Sequence, residues 1–381
     1  KKVRKAIHRA RRLNKNSIIV LTGCMAQAFM EGCSKIDEVD IVLGNSQKGE
    51  ILEKINEFLA NREKMVAVAP FDSRAQYDDF EIKSFCDRTR AFVKIEDGCN
   101  RFCSYCIIPY ARGRCRSRNI ESVRAEAENS AVMDKKEIVL TGINLAFYGR
   151  EYGLNLADAV EVCAEVDGIE RIRLGSLEPE MMSDDLLKRL SAVPQLCPQF
   201  HLSLQSGCTK ILKAMNRHYT AEEYFNLTER IRKFFPECSF TTDIMVGFPS
   251  ETDEDFRESL EFVEKVGFSR VHVFRYSRRK GTIADRMAEQ IPENIKALRA
   301  SEMSEMSART EAEYMHSLVG KTVKVLFERE NCTDFHRGYA ADYTLIKIPR
   351  ENSEKSLRNK IFCVTIEESR SDFCIGRIVN E

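Results

Sequence analysis

In residues 1–16 the apolar side chains fall at Val3, Ala6, Ile7, Ala10 and Leu13, a spacing of three and four that predicts one buried face of a helix. The other positions are rich in Lys and Arg and carry no acid, so this helix is basic as well as amphipathic. Residues 17–21 and 39–43 are short apolar runs of strand type, the first ending in Thr22-Gly23-Cys24, and residues 48–59 return to helical spacing. The alternation predicts a small α/β domain over residues 1–71. Because the chain opens on a helix and not on Met, an N-terminal piece with further strands of this domain is expected before Lys1.

A charged stretch, residues 72–90, reads as a linker. Beyond it, residues 91–96, 137–141, 171–176, 200–205, 239–246 and 270–276 are strand-like and alternate with helical stretches. That order predicts a parallel α/β sheet, and six units fit an incomplete barrel better than a closed eightfold one. In such folds the chemistry sits beyond the carboxyl ends of the strands. The central domain is expected over residues 91–317, with a closing helical segment at 293–317. The pattern then changes to period two: residues 322–328, 339–348, 360–366 and 374–379 alternate apolar and polar side chains with no helical pattern between them. Residues 318–381 are therefore expected to form a small β-barrel, either of the kind that binds nucleic acid or a structural cap on the central domain.

Composition removes some function classes. No apolar run approaches the roughly 20 residues that span a bilayer and no signal-peptide pattern precedes the first helix, so a cytoplasmic protein is expected. With 59 Lys and Arg against 59 Asp and Glu, net charge neither demands nor excludes a polyanionic partner, and local patches must decide. Fourteen cysteines are spread along the chain without the even spacing of a disulfide scaffold. A metal or redox role is expected for a few and burial for the rest.

Those few are found in Gly98-Cys99-Asn100-Arg101-Phe102-Cys103-Ser104-Tyr105-Cys106, just after the first barrel strand. Thiolates are soft ligands suited to iron-sulfur clusters, and one tight loop can direct Cys99, Cys103 and Cys106 at three irons of a cubane. The fourth iron stays open and can chelate S-adenosylmethionine (SAM), whose one-electron cleavage yields a 5′-deoxyadenosyl radical. Two other readings compete. A zinc site would need a second Cys/His pair at ribbon spacing, and a closed electron-transfer cluster a fourth ligand, for which Cys115 or Cys86 are nearest. Later strands also end in polar or glycine residues: Thr141-Gly142-Ile143-Asn144, Ser176-Leu177-Glu178-Pro179, Gln205-Ser206-Gly207 and Gly247-Phe248-Pro249. Singly these are turn chemistry; together at one end of a sheet they form a cofactor cup.

At this point the chain resembles a known family over almost its full length. The stretches Thr22-Gly23-Cys24-Met25-Ala26-Gln27, 92–118, 200–219 and 242–252, and above all Cys106-Ile107-Ile108-Pro109-Tyr110-Ala111-Arg112-Gly113, are similar to the radical SAM methylthiotransferases, in particular their MtaB-like branch. The resemblance implies a 4Fe-4S cluster on Cys99, Cys103 and Cys106, and SAM contacts from Tyr105, Gly142, Asn144, Ser176, Glu178, Gln205 and Arg217. A carboxylate such as Glu178 can accept from ribose hydroxyls and Arg217 can pair with the methionine carboxylate; the competing reading for both is a structural ion pair. Family members carry a second 4Fe-4S cluster on three N-terminal cysteines. Cys24 matches the third, the other two fall before Lys1, and Cys33, though near, is not recommended by the family pattern.

By the same resemblance the C-terminal barrel is an RNA-binding TRAM domain, and the reaction is conversion of N6-threonylcarbamoyladenosine, beside the tRNA anticodon, to its 2-methylthio derivative. The expected partners are the tRNA anticodon stem-loop and an electron donor such as flavodoxin or ferredoxin. The basic opening helix, the run from Arg112 to Arg118 and the cluster from Arg275 to Lys280 are candidate phosphate contacts. The alternatives are the isopentenyladenosine tRNA branch, the branch that modifies an aspartate of ribosomal protein S12, and a truncated RNA-binding protein without catalysis.

Overall fold

The computed structural model of the chain describes residues 2–71, 76–79, 88–329, 334–350 and 356–379. The chain folds as two compact units. One holds Lys1–Asp78 with the loop pieces Asp97–Phe102 and Cys106–Arg116; the other holds Asp79–Glu96, Cys103–Tyr105 and Ser117–Glu381.

In the first unit the amphipathic opening becomes the helix Lys2–Leu13, whose Ile7 is buried with Ile19, Leu21, Ala26, Cys33, Val39 and Val42. Strands Val20–Leu21, Ile41–Leu43 and Met65–Ala67 form a parallel sheet in that order. Ile41 and Leu43 point to its other face, with Phe58 of the helix Ile51–Asn61. Arg11 ties the opening helix to the sheet through Asp40 at 2.8 Å. The third strand, within the apolar run Met65-Val66-Ala67-Val68-Ala69, is absent from the sequence reading. Most of the stretch read as a linker, with Cys86, lies outside the described residues.

In the second unit the strands of the two larger α/β sheets are parallel. Glu137–Thr141 lies between Ala91–Lys94 and Arg171–Leu174. Gln199–Leu202 lies between Ser176–Leu177 and Ser239–Val246, and the latter pairs with the edge strand Arg270–Arg275. The third run thus serves both sets, breaking at Gly175, where an added Cβ would sit 3.2 Å from the Leu140 carbonyl oxygen. The result is the expected incomplete six-unit barrel with two open edges. Outward side chains such as Phe200, Leu202 and Phe240 pack on the surrounding helices in one continuous core. Three of those helices begin with a reciprocal cap, Asn155 with Asp158, Thr220 with Glu223 and Thr252 with Asp255.

The helix Glu293–His316 leads into a closed five-stranded barrel, in the order Thr322–Phe327, Phe335–Ala340, Leu345–Pro349, Cys374–Ile378 and Ile361–Ser369. The run read as one strand over 339–348 is two strands joined by a tight turn. Asp342 makes it, accepting from the Thr344 amide and hydroxyl at 2.9 Å each, and Tyr343 adopts a left-handed φ of 73°. Apolar alternation runs through the turn without Gly or Pro, which conceals it in the sequence.

The small barrel is held at the amino ends of the α/β strands. Arg171, the first residue of its strand, donates to the carbonyls of Tyr339 (3.0 Å) and Lys324 (2.5 Å). Arg173 donates to Ala341 O at 2.9 Å and stacks on Tyr343 at 4.3 Å. Ser239, also a first residue, donates its hydroxyl to Asp342 O at 3.0 Å. Arg90 reaches the Tyr343 hydroxyl and the Glu328 carboxylate. Glu137, fully buried, neutralises Arg173 at 3.0 Å.

Candidate active site

The cysteine loop has a backbone only this sequence tolerates. Gly98 sits at φ 85°, and a Cβ there would overlap the Arg114 carbonyl, while Phe102 holds a left-handed φ of 51°. The Cys99 amide donates to Gly113 O at 3.2 Å. On the other side, Ser104 is riveted by its amide to Met215 O (2.9 Å), its hydroxyl to Ala214 O (2.9 Å) and its carbonyl from Ala284 N (2.8 Å).

The direction of hydrogen bonds at sulfur sorts the cysteines. Cys99 Sγ accepts from the Arg101 amide, Cys106 Sγ from the Ile108 amide and Cys103 Sγ from Arg217 Nη1, each at 3.4 Å. Cys24 Sγ accepts from Arg112 Nε at 3.2 Å. These four sulfurs all accept hydrogen bonds. In contrast, Cys33 donates to Met25 O, Cys208 to Asp255 and Cys374 to Met315 O. Burial pushes the thiols of Cys163 and Cys208 up to about 12, and those of Cys197, Cys238 and Cys374 up to about 11. Those remain neutral thiols, and Cys33 is packing, not a ligand. The acceptor set of Cys99, Cys103 and Cys106 is the chemistry that an iron-sulfur cluster requires. Cys115, the other candidate fourth ligand, has its amide held by Asn100 Oδ1 at 3.2 Å.

Other candidate residues lie at strand ends of the second unit. A Cβ on Gly142 would lie 2.8 Å from Glu96 Oε2, so only glycine leaves that approach clear. The same carboxylate oxygen accepts from the Asn144 amide at 2.7 Å, and the buried Asn144 Oδ1 has no hydrogen-bond partner among the described residues. An acceptor in that state fits a donor such as the amino group of SAM. Tyr105 packs edge-on against Phe248 with centroids 6.5 Å apart. Ser176 is exposed beside His201, and Gln205 is held at φ 74° by backbone bonds to Asp243 O (2.8 Å) and from Met245 N (2.9 Å). Glu178 and Arg217 pair with each other at 2.7 Å, their side chains 8% and 5% exposed, so the ion pair weighed in the sequence is present. Sequence reasoning missed Glu96 and the polar strand face made by His201, Thr241, Asp243 and His272. There His201 meets Thr241 at 3.0 Å and Asp243 at 3.5 Å, and stacks on His272. Burial holds His272 below the ordinary imidazole pKa. The signal was available: polar residues recur at every second position of otherwise apolar strands.

Two basic clusters differ in what they leave open. Along the run from Arg112 to Arg118, Arg112 and Arg116 pair with Asp97, Arg114 covers the Phe102 ring at 4.7 Å, and buried Arg118 pairs with Glu126. Arg116 and Arg118 are thus committed inside the protein, whereas Arg114 keeps an exposed side chain and stays a candidate phosphate contact. Arg275, Arg279 and Lys280, at the carboxyl end of the edge strand, are exposed, as are Lys2, Arg4, Lys5, Arg9 and Arg12 of the opening helix.

Comparison with known proteins agrees with this geometry. Residues 93–263 match the Radical SAM superfamily. The chain is 39% identical over 328 residues to the threonylcarbamoyladenosine tRNA methylthiotransferase MtaB of Aquifex aeolicus, covering 86% of this chain and 80% of that protein. It is 42% identical to the Thermotoga maritima protein of that name, over 86% and 75% of the two chains. It is also 35% identical to the tRNA-2-methylthio-N(6)-dimethylallyladenosine synthase of Rickettsia rickettsii, over 96% and 82%. Among solved structures, the radical SAM methyltransferase TsrM of Kitasatospora setae with tryptophan and a SAM analogue shares the fold, with a TM-score of 0.54 at 17% identity over 71% of this chain and 57% of that one. With a three-cysteine loop at a strand end, a six-unit barrel, a closed C-terminal barrel and these relatives, the chain belongs to the radical SAM methylthiotransferases, on their MtaB-like branch.

Proposed function

We infer that this chain is the tRNA methylthiotransferase that converts N6-threonylcarbamoyladenosine beside the anticodon to its 2-methylthio derivative. The observation that carries the reading is the set of sulfur acceptors on Cys99, Cys103 and Cys106, backed by relatives named for that reaction. A 4Fe-4S cluster on these three thiolates would supply one electron to bound SAM and so a 5′-deoxyadenosyl radical. The chain's own residues do the rest by placement. Gly142 would leave room for the cofactor, Asn144 Oδ1 would accept from it, and Tyr105, Ser176, Glu178, Gln205 and Arg217 would supply the remaining contacts. Cys24, with the family's other two auxiliary cysteines, would hold the second cluster, and Arg112 fixes its sulfur while bonding Asp97 at 3.0 Å.

The domain assignment that goes with this reading is a methylthiotransferase domain at residues 1–71, a linker at 72–90, the radical SAM barrel at 91–317 and a TRAM-like barrel at 318–381. The anticodon stem-loop would meet exposed cations at Arg275, Arg279 and Lys280. The electron donor is a small redox protein such as flavodoxin or ferredoxin. Among the described residues no helix is long and apolar enough to cross a membrane, which agrees with a cytoplasmic setting.

The test is anaerobic reconstitution with iron and sulfide, followed by SAM cleavage with a reductant and tRNA. About four irons bound at the three cysteines, 5′-deoxyadenosine formation, and faster cleavage with tRNA carrying threonylcarbamoyladenosine than isopentenyladenosine are expected. Cys99→Ala should abolish cleavage while the C-terminal barrel stays folded by circular dichroism. Cleavage at the wild-type rate in that variant, or bound zinc in place of iron, sinks the reading.

A further inference from the structure

The three loop sulfurs are not equivalent. Cys99 and Cys106 accept from main-chain amides, whereas Cys103 accepts from a guanidinium. We propose that Arg217 is a positioning residue that sets the reduction potential of the cluster held at Cys103, with Glu178 as its counterweight. This rests on the functional reading above and adds a role to it.

The geometry behind it is a fully supported cation. Arg217 Nη2 meets Glu178 Oε1 at 2.7 Å and Ser203 O at 2.9 Å, and Nε donates to the Tyr219 hydroxyl at 2.9 Å. The Tyr219 hydroxyl in turn donates to Ser203 O at 2.6 Å and to Leu204 O at 2.9 Å, and its ring lies 5.0 Å from the guanidinium carbon. Of the five N–H bonds of the guanidinium, one on Nε, two on Nη2 and one on Nη1 thus have partners. A fork so tethered keeps one N–H and a positive charge aimed at the sulfur of Cys103.

Electrostatics then gives the sign. Adding an electron makes a cluster more negative, so a nearby cation and an N–H donor to a ligand sulfur stabilise the reduced form and raise the potential. Glu178, the carboxylate against the same guanidinium, offsets part of that charge. Its removal moves the potential the other way.

The experiment is a redox titration of the reconstituted chain followed by electron paramagnetic resonance of the reduced cluster, which needs neither SAM turnover nor tRNA. Arg217→Met is expected to lower the midpoint so that the reduced-to-oxidised ratio at a fixed potential falls at least tenfold, about 59 mV for one electron. Arg217→Lys, which keeps charge and loses the fork, should fall between Met and wild type, and Glu178→Gln should shift the midpoint upward. Should Arg217→Met fail to fold, the Lys and Gln variants decide by the opposite signs of their shifts. Variants that assemble the cluster and titrate with wild type, even with weakened SAM binding, overturn the proposal and leave a SAM-binding role. A wild-type chain that takes up no iron instead overturns the functional reading itself.

Discussion

At the level of single residues, the working distinction lies in whether a sulfur accepts or donates. Cys163 and Cys197 are buried, with thiols pushed up to about 12 and about 11, whereas Cys24, Cys99, Cys103 and Cys106 are part-exposed. A thiol near 12 carries roughly a thousandfold less thiolate than an ordinary one, and the thiolate is what reacts. In the native, cluster-free chain at pH 8, iodoacetamide followed by peptide mass spectrometry should label Cys99, Cys103 and Cys106 at least tenfold faster than Cys163 and Cys197. Equal rates before denaturation would mean that the sorting is wrong. The ligand loop was legible in the sequence because its spacing is local. For Glu178 and Arg217 the sequence offered either cofactor contacts or a structural ion pair, and the addition of Tyr219 and of the Cys103 sulfur to that pair was not legible, since it depends on which strand ends the fold brings together.

Elements were legible in proportion to how continuous their apolar pattern is. Glu137–Thr141 and Ser239–Val246 have the bounds expected from sequence, the first around the apolar core Ile138–Leu140 and the second through its β-branched and apolar residues despite Asp243. The break at Gly175 and the turn at Asp342 and Tyr343 were invisible, because pairing partners and a side-chain-made turn decide them. Helix caps are a further local device with a measurable signature. Asp158 accepts from the Asn155 amide at 2.7 Å and from Arg189 at 2.8 Å; burial would raise its pKa, but these bonds outweigh it and hold the carboxyl below its ordinary range. A depressed folded pKa stabilises above the unfolded value, near 3.9, and that contribution is lost as pH falls through the folded pKa. Asp158→Asn should therefore lower Tm at pH 7, with a deficit that narrows as the pH is taken below about 4, by calorimetry. A deficit unchanged by pH would remove the charge from the account.

At the scale of the whole second unit, one buried ionic knot holds the two barrels together. Arg173 and Glu137 are almost without solvent exposure, and Arg173 spends its remaining donors on carbonyls of the small barrel. Removing one partner of such a pair strands the other, at a cost of about 3–5 kcal/mol, whereas removing both costs less. Arg173→Met should thus lower the urea midpoint sharply or split unfolding into two steps, and adding Glu137→Gln should recover part of the loss; a single mutant as stable as wild type would show the knot to be dispensable. The knot also fixes distance. It fastens the small barrel at the first residues of strands whose last residues border the candidate cofactor residues, and the eight-residue strand Ser239–Val246 spans about 25 Å at roughly 3.3 Å per residue. If the proposed function holds, a polynucleotide reaching from the cofactor residues to the small barrel would have to bridge that gap, which a free modified nucleoside could not do, so that the length of one strand would set the length of substrate selected.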